Sequence, residues 1–185
     1  TSAIFATPAI AADGTVYIGV IGNKFHAVNP NGTLKGSLDV TGEVSSSAAI
    51  GADGSLYFGC ADGTIYALSP AGAVRWTFLA GGAIRNCSPT VASDGTIYLG
   101  ALDGLIYALN ADGSLRRTYG TADEVRASPL LYNGRLYFSS GDYRLYAVET
   151  GQVPASTPWP MLRQNIRRTS RATPQALAIG VAPQG

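Results

Sequence analysis

The side chains that usually carry catalysis or bind metals are scarce in this sequence. Its 185 residues include one histidine, His26, and two cysteines, Cys60 and Cys87. A single histidine supports no compelling Ser-His-Asp or Cys-His arrangement, and a zinc site needs more Cys or His than the chain holds. Most aspartates stand in Asp-Gly pairs separated by whole apolar segments, unlike the closely spaced ligands of a calcium loop. The sequence therefore predicts no catalytic residue and no metal site.

The overall composition narrows the class of protein. Hydrophobic residues make up 46% of the chain and charged residues only 14%, which excludes a disordered chain. The formal net charge of +1 gives no electrostatic reason to expect nucleic-acid binding. No apolar run reaches the roughly 18 residues of a membrane-spanning segment. We therefore expect a globular protein with no nucleic-acid partner and no membrane span.

One sequence unit of roughly 40 residues occurs four times. Its most regular string is DGTVYIG at 13–19, which returns as DGSLYFG, DGTIYLG and NGRLYFS. The central tyrosines lie 40, 41 and 39 residues apart and are Tyr17, Tyr57, Tyr98 and Tyr137. Asp-Gly and Asn-Gly pairs separate the alternating apolar segments, and such pairs tolerate the positive φ angles of tight hairpins. The pattern predicts four short antiparallel strands in each unit.

A four-stranded antiparallel unit repeated in tandem is typical of a β-propeller blade. The sequence therefore predicts an all-β fold of four blades, at about 3–43, 44–83, 84–124 and 125–158. A β-solenoid is the alternative, but its coils are shorter and lack three hairpins per unit. The outer strand of the last unit, at 152–155, is expected to be poor because Pro154 cannot donate to a sheet.

Two segments follow the repeats. We expect residues 159–172, which are rich in Trp and Arg, to pack on the propeller, and residues 173–185 to form a flexible tail. Within the repeats, the apolar positions should form the core. The residues expected to be buried between or within blades are Tyr57, Ile65, Leu68, Tyr98, Ile106 and Leu109.

Candidate binding residues follow from comparing the four copies. The innermost strand of a blade starts on the same face as the turn between its second and third strands. Some positions on that face differ between the four copies, whereas the positions that form the strands and turns are the same. Binding specificity can reside at the positions that differ. The candidates are Arg85, Asn86, Arg126, Asp62 and Asp103. The plainer alternative is that the aspartates only form turns and that Asn86 and Arg126 belong to a solvated rim.

The histidine and the cysteines have structural interpretations. His26 stands in the column that later copies fill with tyrosine, so we interpret it as a packing residue within a strand. Cys60 ends a strand of the second unit, and Cys87 begins a strand of the third. A disulfide between them is conceivable, but their Cα atoms are expected to lie beyond the limit of about 7 Å, which favours two free buried thiols.

The repeat S-P-x-x-x-x-D-G-T-I-Y-x-G-x-x-D-G-x-I-Y-A-L-N-x-D-G-x-x-x-W resembles the pyrroloquinoline-quinone-type propeller repeat, best at 45–78 and 86–119. The segment from Trp159 to Thr169 is similar to a W-P-M-x-x-x-N-x-x-x-T segment found beside such repeats in secreted bacterial proteins. This superfamily includes quinone-dependent dehydrogenases and many non-catalytic propellers. The enzymes carry adjacent cysteines, a Trp floor and calcium at the cofactor, and this sequence has neither adjacent cysteines nor an inner-strand Trp. The resemblance therefore implies the fold strongly and the activity weakly.

These observations favour a non-enzymatic binding or scaffold module of a secreted or periplasmic bacterial protein, with a protein or small-ligand partner and no cofactor. The alternative is a fragment of a quinone-dependent alcohol or sugar dehydrogenase, which would use pyrroloquinoline quinone with calcium. A carbohydrate-binding propeller is a third interpretation, weakened because the inner columns are mostly Ser, Ala and Thr. The extracellular or periplasmic location rests on the resemblance alone.

The number of blades raises the question of closure, because related propellers usually close with seven or eight. The chain is expected to be either half of a longer propeller or a homodimer that completes an eight-bladed ring, with a closed four-bladed ring less favoured. Apolar surface that stays exposed to water forgoes about 25 cal/mol of stabilising free energy per Å². The faces expected to lack a neighbour are Ile10, Val16, Ile18 and Val28 on the first blade, and Leu130, Leu136, Phe138 and Val148 on the last.

Overall fold

The computed structural model describes residues 3–157 and 159–161. Within these ranges the chain forms fifteen β-strands, and no helix there is long and apolar enough to cross a membrane. The expected flexible tail at 173–185, and the part of the expected Trp/Arg-rich segment beyond residue 161, lie outside the described residues.

Four antiparallel sheets follow one another along the chain, and we call them blades 1 to 4. Blade 1 contains β1 (Ala9–Ile10), β2 (Val16–Val20), β3 (Lys24–Val28) and β4 (Leu34–Asp39). Blade 2 contains β5 (Ala49–Ile50), β6 (Leu56–Gly59), β7 (Thr64–Leu68) and β8 (Val74–Leu79). Blade 3 contains β9 (Thr90–Val91), β10 (Ile97–Gly100), β11 (Leu105–Leu109) and β12 (Leu115–Gly120). Blade 4 contains β13 (Leu130–Tyr132), β14 (Arg135–Ser139) and β15 (Leu145–Glu149).

In each blade, strands that are neighbours in sequence are neighbours in the sheet, from an inner strand to an outer one. The tight hairpins depend on the Asp-Gly pairs. In blade 2, Gly54 has a φ of +79°, and Asp53 Oδ1 accepts the Ser55 N–H at 3.0 Å. Blades 1, 2 and 3 also share one register shift between the last two strands, which falls between Ala67 and Leu68 in blade 2. The predicted all-β propeller of four blades is confirmed.

The outer strand expected at 152–155 does not form within the described residues, so blade 4 has three strands. This segment lies instead beside the inner strand of blade 3, where Pro154 forms an isolated bridge with Ala92. Ala155 donates its N–H to the Val91 carbonyl at 2.9 Å. Because proline has no N–H, residue 154 suits the edge of a sheet better than a strand paired on both sides.

The chain then crosses the inner strands of blades 2 and 3. The carbonyl oxygens of Trp159 and Pro160 accept the N–H groups of Ile50 and Val91 at 2.6 and 2.8 Å. Trp159 and Met161 are each only 1% exposed. The segment 159–161 therefore covers backbone groups that the inner strands would otherwise present to the centre of the propeller.

The core lies between the blades as three hydrophobic clusters, which join blades 1 and 2, 2 and 3, and 3 and 4. Alternation along each strand makes this possible, because Tyr57 packs towards blade 3 while its neighbour Phe58 packs towards blade 1. The six residues expected in the core are all buried, none more than 3% exposed. Among the described residues no fourth cluster joins blade 4 to blade 1, so the four blades form an open arc.

The two end blades differ from the inner ones in their exposure. Blade 1 leaves Val16, Ile18 and Val28 partly exposed, as expected, whereas Ile10 was wrongly expected to lack a neighbour, because it packs against the cluster that joins blades 1 and 2. On blade 4 the expectation is correct only for Leu130, because Leu136, Phe138 and Val148 pack against blade 3. A blade presents opposite faces to its two neighbours, so residues that match the free face of blade 1 are covered on blade 4. The residues on the uncovered face of blade 4 are Leu130, Tyr132, Tyr137, Leu145 and Ala147.

Candidate functional site

The loops that enter each blade and the turns between its second and third strands share one face, which we call the turn face. Backbone hydrogen bonds hold them together: Ala61 donates to the Glu43 carbonyl at 2.8 Å, and Leu102 donates to the Ala83 carbonyl at 2.9 Å. Gly141 donates to the Glu124 carbonyl at 2.9 Å in the same way. All five predicted site residues lie on these loops and turns.

Asp62 holds its own turn and the loop from blade 1. Its Oδ1 accepts the Thr64 N–H at 2.9 Å, and a side chain at Gly42 would come within 2.8 Å of its carboxyl carbon. Partial burial opposes ionisation of Asp62, but hydrogen bonds from Thr41 and Thr64 outweigh it and lower the pKa of this carboxyl. Asp62 is therefore an ionised group whose oxygens are directed at the protein itself.

Asp103 has the same position in blade 3. Its Oδ2 accepts the Tyr107 hydroxyl at 2.5 Å, and its Oδ1 accepts the Leu105 N–H at 3.1 Å. The Tyr107 oxygen in turn accepts the Gly81 N–H at 2.8 Å, which ties the loop entering blade 3 to this turn. Burial, and then the bond to Asp103, raises the pKa of Tyr107. The repeat position of Tyr107, which His26 occupies in blade 1, therefore links a turn to a loop in blade 3.

Arg85, Asn86 and Arg126 are exposed on the same face. The Arg85 guanidinium lies 3.8 Å from Glu43 Oε2, so it spans from the loop entering blade 3 to the loop entering blade 2. Asn86 has a φ of +59°, a conformation that Asn tolerates better than most residues, and its N–H donates to Ser45 Oγ at 3.3 Å. Arg126 binds Glu124 through two hydrogen bonds, of 2.5 and 2.9 Å. The face thus displays arginine–glutamate pairs rather than a cleft of converging catalytic groups.

Both cysteines are buried and free. Cys87 Sγ accepts the Gly100 N–H at 3.1 Å and donates to the Ala127 carbonyl at 3.3 Å, so it joins two blades. Burial raises the pKa of Cys60 and that of Cys87 to about 12. Within the described residues, no three His, Cys, Asp or Glu side chains are grouped closely enough to hold a metal ion.

Sequence reasoning missed a chain of hydroxyl groups that runs from blade to blade near the inner strands. Ser88 donates its N–H to Ser128 Oγ at 2.9 Å, and Ser47 donates to Ser88 Oγ at 2.9 Å. Thr7 donates to Ser47 Oγ at 2.7 Å. We call these four residues the hydroxyl ladder. Their signal is visible in the sequence as the Ser or Thr near the start of every unit.

A second missed feature pins the outer strand of a blade to its first hairpin. In blade 2, Arg75 donates to Asp53 Oδ2 at 2.7 Å and to Ser55 Oγ at 2.6 Å. Lys35 and Arg116 make the equivalent bonds in blades 1 and 3. The signal was a basic residue at one position of three outer strands, 22 residues after the aspartate.

Comparisons with known proteins place this fold in a family. The family model described as "Outer membrane protein assembly factor BamB" matches residues 61–175, more than half of the chain. A second model, described as "Strictosidine synthase-like, N-terminal", matches only residues 47–68. No curated protein matches the sequence.

Several solved structures have the same fold. BamB from Moraxella catarrhalis matches with a TM-score of 0.72 and 21% identity, over 80% of this chain and 50% of that chain. The computationally designed Ika4 protein matches with a TM-score of 0.64 and 21% identity, over 82% of this chain and 93% of that chain. The designed Ika8 protein gives a TM-score of 0.69 and 20% identity, over 80% of this chain and 46% of that chain.

These likenesses at 20 and 21% identity show the fold alone, and the chain spans about half the length of the BamB structure. The match to the family model covers more than half of the chain. It agrees with the repeat pattern and with the four blades. The chain is therefore a β-propeller with pyrroloquinoline-quinone-type repeats, and it belongs to the family described as outer membrane protein assembly factor BamB.

Proposed function

We propose that this chain is a non-enzymatic scaffold module that supports the assembly of outer membrane proteins by binding a protein partner, in the bacterial periplasm or outside the cell. The observation that carries the proposal is the family match over residues 61–175. The turn face supports it, because Arg85, Asn86 and Arg126 are exposed on loops held by a rigid sheet scaffold. Exposed arginines on such loops are typical of protein-binding surfaces.

The same proposal includes that the module works without a cofactor. The quinone enzymes that the repeat resembles hold their cofactor beside adjacent cysteines and above a Trp floor. Cys60 and Cys87 instead lie buried in different blades, and Trp76 lies on an outer strand against Gly113. These residues do not fit the quinone. Added pyrroloquinoline quinone and calcium should leave dye-linked oxidation of ethanol or glucose at background, and turnover above background would favour the dehydrogenase alternative.

The scaffold role can be tested in the bacterium that makes the protein. Deleting its gene should lower the amount of folded outer membrane protein, and the wild-type gene should restore it. Variants Arg85→Glu and Arg126→Glu should restore it less well, because each reverses a charge on the turn face. Arg117→Glu is the matched control, because it makes the same change at an exposed position of β12 on the outer edge of blade 3. Unchanged outer membrane proteins after deletion would contradict the proposal.

We also propose that two copies of this chain complete an eight-bladed ring. The uncovered face of blade 4 repeats the residue types that inner blades bury against the next blade. Tyr137, Leu145 and Ala147 have the positions of Tyr57, Ile65 and Ala67. Leu145 is 74% exposed, whereas Ile65 is fully buried. Blade 1 offers the complementary face, so blade 4 of one copy fits blade 1 of another.

The hydroxyl ladder supports the same closure. Each of the three joints between blades contains one N–H to hydroxyl bond of the ladder, of 2.7 to 2.9 Å. The ladder ends in a hydroxyl acceptor at Thr7 on blade 1 and in a backbone donor at Ser128 on blade 4. A two-fold ring would join these two groups twice, and it would cover all four end faces at once.

Light scattering on the purified chain at micromolar concentration tests the ring. We expect a mass of about 38 kDa, twice the 19.1 kDa of one chain. Leu145→Lys should give the monomer, because it places a charge in the new joint. Leu79→Lys is the control, because Leu79 is 70% exposed on the outer strand of an inner blade. A wild-type monomer that binds no hydrophobic dye would contradict the dimer.

A further inference from the structure

A cavity of about 190 Å³ opens on the outer rim between blades 1 and 2. Aromatic and aliphatic side chains line it, among them Tyr17, Phe25, Leu56 and Leu68. It is continuous with the hydrophobic cluster that joins these two blades. We call this cavity the rim slot.

The corresponding place between blades 2 and 3 is filled by the side chain of Trp76. Its indole packs against Tyr57, with ring centroids 5.9 Å apart, and its Nε1–H donates to the Ala111 carbonyl at 2.9 Å. It also covers Gly113, where an added Cβ would lie only 2.6 Å from the indole. The ring of Tyr57, the carbonyl of Ala111 and the side-chain-free surface of Gly113 thus form a receptor for one indole.

The strand registers show why the rim slot is open. Trp76 pairs with Ala67 in blade 2, and the residue that pairs with Ala27 at the same position of blade 1 is Gly36. In blade 3 that position is held by Arg117. A Cβ added to Gly36 would meet no atom within 4 Å. Blade 1 therefore lacks the side chain that would fill its own joint.

The joint between blades 1 and 2 nevertheless has residues equivalent to those that surround the indole between blades 2 and 3. Tyr17 stands where Tyr57 stands, and both tyrosines are buried. In the turn of blade 2, Pro70 and Gly72 take the positions of Ala111 and Gly113. Gly72 has a φ of +84° and an open space above it, since an added Cβ would meet no atom within 4 Å. The same three elements are present without the indole.

We propose that the rim slot binds the indole side chain of a tryptophan carried by a partner polypeptide. The indole would lie against Tyr17 and over Gly72, and its N–H would donate to the Pro70 carbonyl. These contacts are the same as those of the Trp76 indole in the joint between blades 2 and 3, except that the tryptophan would come from another chain. Burial of an aromatic ring together with one hydrogen bond is what anchors such residues at protein interfaces. This site does not depend on ring closure or on the scaffold role.

The test is an NMR titration of the ¹⁵N-labelled chain with N-acetyl-L-tryptophan amide, which carries a peptide group on each side of the residue. We expect saturable shifts at the amides of Gly36 and Gly72, with little change at Gly113. N-acetyl-L-leucine amide should bind at least tenfold more weakly. Absence of saturable shifts at Gly36 and Gly72 up to roughly 10 mM probe, or equal binding of the leucine probe, would overturn the proposal.

Two variants fill the slot from within. Gly36→Trp copies blade 2 and Gly36→Arg copies blade 3, so each should weaken binding of the tryptophan probe at least tenfold. The far-ultraviolet circular dichroism of each should match that of the wild type. If Gly36→Trp does not fold, Gly36→Arg carries the comparison. Binding that is unchanged in a folded variant would place the probe elsewhere and overturn the assignment.

The converse variant makes a second slot. Trp76→Gly removes the indole that fills the joint between blades 2 and 3, so the probe should then also shift the amide of Gly113. Occupancy of this second slot by the probe would show that the receptor elements bind a free indole. If the tryptophan probe shifts neither Gly113 in this variant nor Gly72 in either protein, the receptor interpretation is wrong.

Discussion

At the scale of single residues, two sets of aspartates with the same Asp-Gly sequence have different partners. Asp53 binds Arg75 of the outer strand, whereas Asp103 binds Tyr107 four residues away. Both also accept the N–H two residues on, as turn aspartates do. Aspartates of both sets therefore stabilise turns. A binding role for Asp62 and Asp103 stays a prediction.

The first residue-scale prediction concerns acid stability. The Thr15 N–H and hydroxyl and then Lys35 lower the pKa of Asp13 from 3.8 to about 2. A carboxyl with a lowered folded-state pKa stabilises the fold above its unfolded pKa, and this stability is lost as the pH falls towards about 2. The free energy of unfolding in urea should therefore be lower in Asp13→Asn than in the wild type at pH 7. The difference should shrink steadily between about pH 4 and pH 2.

Lys35→Gln serves as the control for Asp13. It removes the ammonium but leaves the Thr15 bonds, which have the larger effect on the pKa, so most of the pH dependence should remain. A wild-type protein whose advantage over Asp13→Asn is the same at pH 2 and pH 7 would contradict the lowered pKa.

The second residue-scale prediction concerns the thiols. Burial and a pKa of about 12 keep both cysteines as protonated thiols, which are poor nucleophiles. Ellman's reagent at pH 8 should therefore modify neither cysteine in the folded protein and both after denaturation. A Leu79→Cys variant is the positive control, because that position is 70% exposed. Rapid modification of the folded wild type would show that the strand positions are wrong.

At the scale of elements, stability resides in the joints between blades rather than within any one sheet. Each sheet is a meander with both faces apolar in the inner blades, so it can be stable only when a neighbour covers each face. The strand β11 shows this, because Ile106 faces blade 4 and its neighbour Tyr107 faces blade 2. Folding of one blade is thus coupled to that of the next.

Ile106→Ala tests a joint directly. Ile106 is fully buried in the cluster between blades 3 and 4, so its truncation leaves a cavity and should cost about 2–5 kcal/mol of unfolding free energy. Leu79→Ala, at an exposed position, should cost no more than about 0.5 kcal/mol. Chemical denaturation of both variants provides the measurement. Equal costs would mean that the joint contributes no more than a surface site.

At the scale of the whole molecule, the proposed eight-bladed ring predicts that stability depends on association. If two copies cover each other's end faces, association stabilises the folded state by mass action. The Tm should therefore rise with protein concentration between roughly 1 and 100 µM. Leu145→Lys, which opens the new joint, should show a lower and concentration-independent Tm. A wild-type Tm that does not change over this range would contradict closure by a second copy.

The sequence alone determined the all-β fold, the propeller blades and the buried columns. The reason is that every blade repeats the same local signals: Asp-Gly hairpins, period-two apolar segments and a Ser or Thr at the start of each unit. The start of the inner strand, on the same face as the turn between the second and third strands, also placed Arg85, Asn86 and Arg126 on one face, where the structure has them exposed. Local patterns are sufficient for these features because each depends on neighbours in the same unit.

Which face of a blade contacts which neighbour is visible only in the three-dimensional structure. Alternation separates Tyr137 from Phe138 but does not say which of the two faces blade 3, and for blade 4 the sequence prediction was wrong at Leu136, Phe138 and Val148. The course of residues 152–155 along blade 3 and the open rim slot at Gly36 have the same origin. Each of these features depends on contacts between units about 40 residues apart or more. A local sequence pattern does not indicate such contacts.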